Sequence, residues 1–220
     1  IMQNNYYITT PIYYVNDKPH IGHAYTSIAC DIMARFKRLD GYNVKFLTGT
    51  DEHGQKVEKA ALAQNKTPLE YADVISKDFR ALTKILNLSN DDFIRTTEKR
   101  HKIASENLWK KLFDNNHIYL SKYSGWYALR DEAFYSEKEI TNGKAPTGAE
   151  VTWFEEESYF FDLSKWQDKL LNFYDENPTF IYPISRMNEV KSFVKSGLRD
   201  LSVSRTSFEG GVKVPNNNHH

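Results

Sequence analysis

The sequence predicts an α/β chain, a doubly wound parallel sheet carrying a small β-rich insert. Three observations predict it. Tyr6–Val15 is an aromatic and β-branched run with few charges, the composition of a strand buried on both faces. From Ala24 the period changes: Tyr25, Ile28, Ile32, Phe36 and Leu39 recur at helical spacing, and Gly41 stands where a helix C-cap belongs. A second apolar run, Val44–Leu47, then leads into another helical stretch, Val57–Gln64. Strand, helix, strand, helix in this order predicts right-handed crossover units, whose post-strand loops share the edge where such sheets take ligands.

The remaining elements follow in order. Thr67, Pro68 and Glu70 make a capping box with proline at the first helical position. The helix they open turns Ala72, Ile75, Phe79, Leu82 and Leu86 inward. Asp92–Arg95 reads as a short strand, and Thr97 as the cap of a helix through Ile103, Leu108 and Leu112. From His117 the texture shifts to short aromatic segments, IYL, GWYAL and EAFY, broken by Gly125, Gly143, Pro146 and Gly148, the rhythm of antiparallel hairpins. Ser164–Tyr174 and Asn188–Lys195 read as helices, the second ended by Gly197. Asp200–Arg205 alternates like a strand returning to a sheet.

Composition excludes more than it identifies. With 40% hydrophobic residues in 220, the chain can bury a core. Its 29 Lys and Arg balance 29 Asp and Glu, so no global basic field advertises a nucleic-acid partner, although a local patch would suffice. A single Cys30 rules out an internal disulfide framework and fits a reducing compartment. No run approaches the roughly 18 apolar residues of a membrane span, and no signal-peptide pattern opens the chain, so a cytoplasmic protein is expected. The closing VPNNNHH carries no helix or strand pattern, and reads as a tag remnant or a cut in a longer chain.

Two motifs carry chemistry. In His20–His23, HIGH, two imidazoles three apart at a helix start sit beside unpaired backbone N–H groups and the positive end of the helix dipole, where an anion is the natural ligand. Gly22 between them lets a flat base or a phosphate approach the backbone. Metal ligation is a competing reading, with Asp51, Glu52 and His53 the only nearby candidates for a third ligand. Simple helix capping is another. The second motif, Gly49–Gly54, GTDEHG, describes a tight loop exposing carboxylates at the sheet edge, of which Asp51 could accept from an ammonium group. A solvated turn is the alternative.

Elsewhere, Trp126 and Trp153 are candidates for base stacking, or members of a small core. Lys99, Arg100, His101, Lys102, Lys110 and Lys111 make a basic helix face, either solvated or a phosphate contact.

Taken together, PIYYVNDKPHIGHAY, RLDGYNVKFLTGTDEHG, DDFIRTTEKRH and RMNEV followed by DLSVSR resemble the bacterial methionyl-tRNA synthetase family, in the same order and over essentially the whole chain. The resemblance implies a class I synthetase Rossmann-like fold. Residues 1–114 would be the first half of the nucleotide-binding catalytic domain, 115–199 a connective insert, and 200–220 the start of the return to the catalytic domain.

It also implies the activity: methionine and ATP, with Mg2+ accompanying the nucleotide, give methionyl-adenylate, and the aminoacyl group then passes to tRNA(Met). His20 and His23 would be catalytic and, with Gly22, hold ATP. Ile12, Tyr14 and Asp51 would bind methionine, and Arg205 would support the active site. A monomer with no membrane partner is implied.

Departures accompany the matches. Ala128, Asp131 and Ala145 stand near places where relatives carry zinc-binding cysteines, so no structural zinc is expected. Gly210 replaces an aromatic of the relatives. The family's KMSKS loop, the second half of its catalytic fold and its anticodon-binding domain have no counterpart here. The chain therefore reads as an N-terminal portion, inactive alone. A stand-alone binding domain derived from the synthetase and a small nucleotidyltransferase of the same superfold are the alternatives.

Overall fold

The computed structural model describes residues 4–131, 133–206 and 210–220. They fall into two compact units, one holding 4–107 with 210–212 and the other 108–131 and 133–206 with 213–220.

The first unit is a parallel sheet with helices, the predicted class. Its central strand is β3 (Asn43–Asp51), which pairs in parallel with β1 (Asn5–Thr9), β2 (Tyr13–Tyr14) and β4 (Asp92–Arg95). The carbonyls of β3 alternate between its flanks. Leu47 and Asp51 accept from Thr10 and Val15, whereas Phe46 and Thr50 accept from Asp91 and Thr96. So β1 and β2 run along one flank and β4 along the other.

The predicted single strand Tyr6–Val15 is split. Thr9 lies opposite Leu47 and Tyr13 opposite Thr50, so one extra residue is accommodated between them. Pro11, which has no N–H for a ladder, occupies the break. Burial on both faces is also not what is found: β1 alternates exposed and half-buried residues, and Thr10, Tyr13 and Val15 are the buried residues of the run. Among the described residues β1 pairs on one flank only, and Tyr7 on it is 61% exposed.

Helix α1 (Ile21–Leu39) forms as predicted, and its apolar stripe is not the face it buries. Tyr25, Ile28, Ile32, Phe36 and Leu39 are exposed, while Ser27, Asp31 and Ala34 are buried. Hydrogen bonding explains this. Asp31 accepts from the Ser89 N–H and hydroxyl, both at 2.6 Å, and from Arg35 at 2.7 Å, and Ser27 meets the Tyr13 hydroxyl at 2.7 Å. A fully satisfied carboxylate can be buried where an unpaired one could not.

Helices α2 (Gln55–Leu62) and α3 (Pro68–Ile85) cover the sheet. The predicted capping box of α3 is present, with Glu70 N–H to Thr67 Oγ1 at 3.2 Å and Thr67 N–H to Glu70 Oε2 at 2.9 Å. The core joins Tyr13, Val15, Val57, Ala61, Tyr71, Ala72, Ile75, Phe79 and Phe93. A buried Phe79 contributes about 2–3 kcal/mol by area. Leu82 and Leu86, read as inward, are half-buried. Helix α4 (Lys99–Asp114) follows β4; Thr97, read as its cap, donates its hydroxyl to Glu52 instead. Gly210 donates its N–H to Glu58 at 3.1 Å.

The second unit is an antiparallel sheet in the order β6 (Ala133–Tyr135), β5 (Ile118–Ala128), β7 (Thr152–Phe161), β8 (Leu201–Ser202). IYL and GWYAL are one continuous strand, with Gly125 in mid-strand opposite Phe154. Strand β7 has no continuous apolar texture in sequence, because Glu155, Glu156 and Glu157 interrupt it. It nevertheless alternates, burying Glu156, Ser158 and Phe160. DLSVSR supplies β8, which pairs with β7 in this antiparallel sheet.

Helices α5 (Gln167–Glu176) and α6 (Ile184–Lys195) meet through Tyr174, Met187 and Val194. Gly197, at φ +106°, follows the C-cap of α6 as read. Trp126 packs against Ala128, Ala145, Ala149 and Val151, whereas Trp153 is 57% exposed. Asp131 ties the adjoining loops by accepting from Tyr135 at 2.9 Å, from Arg130 at 3.2 Å and from Thr147. No helix among the described residues is long and apolar enough to cross a membrane.

Candidate functional site

His20 is the N-cap of α1, in an extended conformation at φ −130° and ψ 176°. Its Nδ1 accepts from the Gly22 N–H at 3.1 Å, and the Nδ1 of His23 accepts from the His20 N–H at 3.0 Å. The His20 carbonyl takes the N–H groups of His23 and Ala24. The two imidazoles therefore do the work that Ser and Glu do in an ordinary capping box.

That arrangement determines where their protons are. A neutral imidazole accepting at Nδ1 carries its hydrogen on Nε2. Both rings thus keep an Nε2–H donor, and they stack with centroids 3.7 Å apart. Capping and anion binding, alternatives on spacing alone, use different nitrogens of the same side chains. The unpaired backbone donors anticipated at this helix start are largely taken up by the cap. The donors left for an anion are the ring N–H groups, with the helix dipole behind them.

A Cβ at position 22 would stand 2.9 Å from His20 Cε1, so any larger residue there obliges the His20 ring to shift. His23 is boxed by Tyr13, centroids 4.7 Å apart, and Phe79, at 5.0 Å. The Tyr13 hydroxyl also reaches the His23 carbonyl at 3.2 Å. Burial, and then the neighbouring His20, hold the His23 pKa below its ordinary 6.5. Metal ligation by this pair finds no support: no group of three or more candidate ligands is assembled among the described residues.

The second cluster lies at the C-terminal end of β3, beside β2. Asp51 is opposite Tyr14, and its carbonyl accepts from the Val15 N–H at 3.2 Å. Gly54, at φ +127°, gives Tyr14 its room, since a Cβ there would be 2.6 Å from the tyrosine Oη. Ile12, in the strand break, is 43% exposed.

GTDEHG is not a loop that exposes its carboxylates. Strand β3 continues through Asp51, and Glu52 turns inward to 2% exposure. It accepts from Arg95 at 2.8 Å, from Thr50 at 3.0 Å and from Thr97, and its N–H donates to Thr96 Oγ1 at 2.9 Å. Arg95 also bonds Asp73 at 2.6 Å. His53 Nε2 lies 3.3 Å from the Thr96 carbonyl, an acceptor, so that nitrogen donates.

On α4, burial and then His53 lower the His101 pKa, while Asp51 and Glu98 oppose the shift. Asp51, His53 and His101 thus share one electrostatic neighbourhood. Glu52 as an inward hub and His101 as a neighbour of Asp51 were not identified from sequence. A signal for Glu52 existed, since consecutive residues of an extended strand face opposite ways and one of Asp51 and Glu52 had to turn in.

The structure brings His20, Gly22 and His23 together, and Tyr14 with Asp51. Arg205 belongs to the second unit, where its guanidinium donates to Ser202 Oγ at 2.6 Å and the Ser204 carbonyl at 2.9 Å, and lies over Phe134. Two imidazole donors suit an anion, and a half-buried carboxylate beside a tyrosine suits an ammonium group. Both sit at the C-terminal ends of neighbouring parallel strands, the binding edge of such sheets.

Comparison with known proteins gives these features a context. A family model described as tRNA synthetases class I (M) matches residues 6–151 and 138–220. The methionine–tRNA ligase of Rickettsia felis is 67% identical over 220 residues, which is 100% of this chain and 43% of that protein. The ligase of Bacillus subtilis is 54% identical, covering 99% of this chain and 35% of its own length. Among solved structures, Mycobacterium tuberculosis methionyl-tRNA synthetase in complex with methionyl-adenylate superposes with a TM-score of 0.93 at 52% identity, over 99% of this chain and 44% of that one. The free-state form of that synthetase gives 0.77 at 50% identity. The chain thus spans less than half the length of these relatives.

Proposed function

This chain belongs to the class I (M) tRNA synthetases, and from that premise we propose that it carries part of the methionine-activating site of a methionine–tRNA ligase. In the proposed reaction a methionine carboxylate oxygen attacks the α-phosphorus of ATP, pyrophosphate leaves, and methionyl-adenylate forms. The methionyl group then passes to the 3′ end of tRNA(Met). Magnesium would accompany the triphosphate and offset its charge.

The chain's own residues have these roles. The Nε2–H groups of His20 and His23 donate to phosphate oxygens, whose charge grows as phosphorus becomes five-coordinate. A fixed donor of this kind lowers the barrier by about 3 kcal/mol. Gly22 keeps the helix start open for the adenine. Asp51 accepts from the methionine ammonium, with Tyr14 and Ile12 flanking the thioether. Arg205 is assigned a supporting role. The polypeptide acts as a monomer.

The observation that carries this reading is the pair of Nδ1-anchored imidazoles beside the Asp51 strand end. The adenylate-bound mycobacterial relative supports it at 52% identity. In the full-length protein, His20→Asn or His23→Asn, which keep a capping acceptor, lower methionine-dependent ATP–pyrophosphate exchange about 100-fold with little change in stability. Exchange within a few-fold of wild type would return the pair to capping alone. The 220-residue chain by itself is proposed to be inactive, because it spans only 43% of the length of the Rickettsia felis ligase; wild-type-like exchange by it would refute this.

A further inference from the structure

We propose that Glu52 is a positioning residue for the amino-acid subsite, pinning the Asp51–His53 segment to β4 and the start of α4. The proposal rests on reading Asp51 as the partner of the methionine ammonium.

The geometry shows what Glu52 does. It is 2% exposed, yet four of its contacts reach the backbone and side chains that frame the segment. Thr50 lies before Asp51, and Arg95, Thr96 and Thr97 lie at the end of β4 and ahead of α4. The carboxylate takes Thr50 and Arg95 on Oε1 and Thr97 on Oε2, so both oxygens are engaged. The next residue adds a fifth tie, His53 Nε2 to the Thr96 carbonyl at 3.3 Å. Asp51 is held from its other side by the ladder to Tyr14 and Val15. It therefore sits between a strand register and a buried anchor.

Stability alone is a poor reason for such an anchor. Desolvating a carboxylate and a guanidinium offsets most of their attraction, and apolar packing of equal volume often serves as well. What an apolar residue cannot supply is direction. A bidentate acceptor with three fixed donors restricts the loop to one conformation, and an ammonium held by one carboxylate is sensitive to displacements on the order of 1 Å.

The test uses full-length protein and methionine-dependent ATP–pyrophosphate exchange. Glu52→Gln raises the KM for methionine about 10-fold, leaves the KM for ATP within about 2-fold and lowers the thermal midpoint, since Arg95 loses its buried carboxylate. Thr97→Val, a milder change near the surface of the network, moves methionine KM the same way by about 3-fold, and Thr97→Ser restores it. Equal shifts in both KM values, or a fall in stability and active fraction with both KM values unchanged, would make Glu52 merely structural. Asp51→Asn separates the two ideas. If it leaves methionine KM unaltered, the ammonium reading fails and the proposal falls with it. If it raises methionine KM while Glu52→Gln and Thr97→Val do not, the reading stands and positioning by Glu52 is rejected.

Discussion

The helix start at His20–His23 and the strand end at Asp51–His53 lie on the same edge of one sheet and are built in opposite ways. The cap of the first closes locally: His20 accepts from Gly22, and His23 accepts from His20, all within four residues. The second is held from a distance, since Glu52 meets Arg95, Thr96 and Thr97 more than forty positions along the chain. A local cap can be read from spacing and closes wherever the helix forms. A network assembled from three segments depends on the sheet bringing them together, so it responds to changes that never touch the ligand.

The comparison can be broken most forcefully at Gly22. Gly22→Ala places a methyl 2.9 Å from His20 Cε1 and must rotate that ring. Exchange falls about 100-fold, mainly through ATP, while loss of the cap itself costs only about 1 kcal/mol. Steady-state kinetics and thermal melts on the same protein check this, and a variant that loses stability but keeps exchange would show that the His20 ring does not contribute.

Gly54→Ala tests the distant side. It meets both an unfavourable φ of +127° and the Tyr14 hydroxyl at 2.6 Å. A stability loss of about 1–3 kcal/mol is expected, together with a methionine KM raised about 5–10-fold and an ATP KM nearly unchanged. Denaturant melts and exchange assays on Gly54→Ala would show whether stability and methionine binding fail together, as a network held from a distance requires.

The smallest effect is in pH. Because the His23 pKa is lowered from 6.5 in the fold, the unfolded chain binds more protons near that value. The stability due to neutral His23 is complete above its ordinary pKa and is lost as pH falls through the depressed one. Melts of wild type and His23→Gln between about pH 5 and 7 should converge toward acid, with the wild type losing more, by under about 1 kcal/mol. His101 is lowered too and acts in the same direction, so the difference between the two proteins is the quantity to measure.

Much of this could be read without coordinates, for reasons visible at particular residues. The Thr67–Glu70 box and the strand Asp92–Arg95 are local patterns, and both occur where they were expected. The α1 stripe lies where the spacing places it, but the face it buries is set by Asp31 and Ser27, whose partners at Ser89 and Tyr13 no periodicity reveals. Strand β7 was hidden by three consecutive glutamates, of which only Glu156 is buried. The candidate site divides in the same manner, with His20, Gly22 and His23 legible as a motif and Glu52 misread as a loop acid.

What the chain's order of residues determined by itself is whatever closes within a turn or a strand: the helix caps, the parallel α/β class and the two imidazoles at a helix start. Tertiary structure alone decided which face of α1 is covered, that Tyr13 and Phe79 box the His23 ring, and that one of two adjacent carboxylates becomes a buried anchor. The physical reason is that burying a polar group is costly unless its partners are present. Those partners come from segments that only the fold brings within hydrogen-bonding distance.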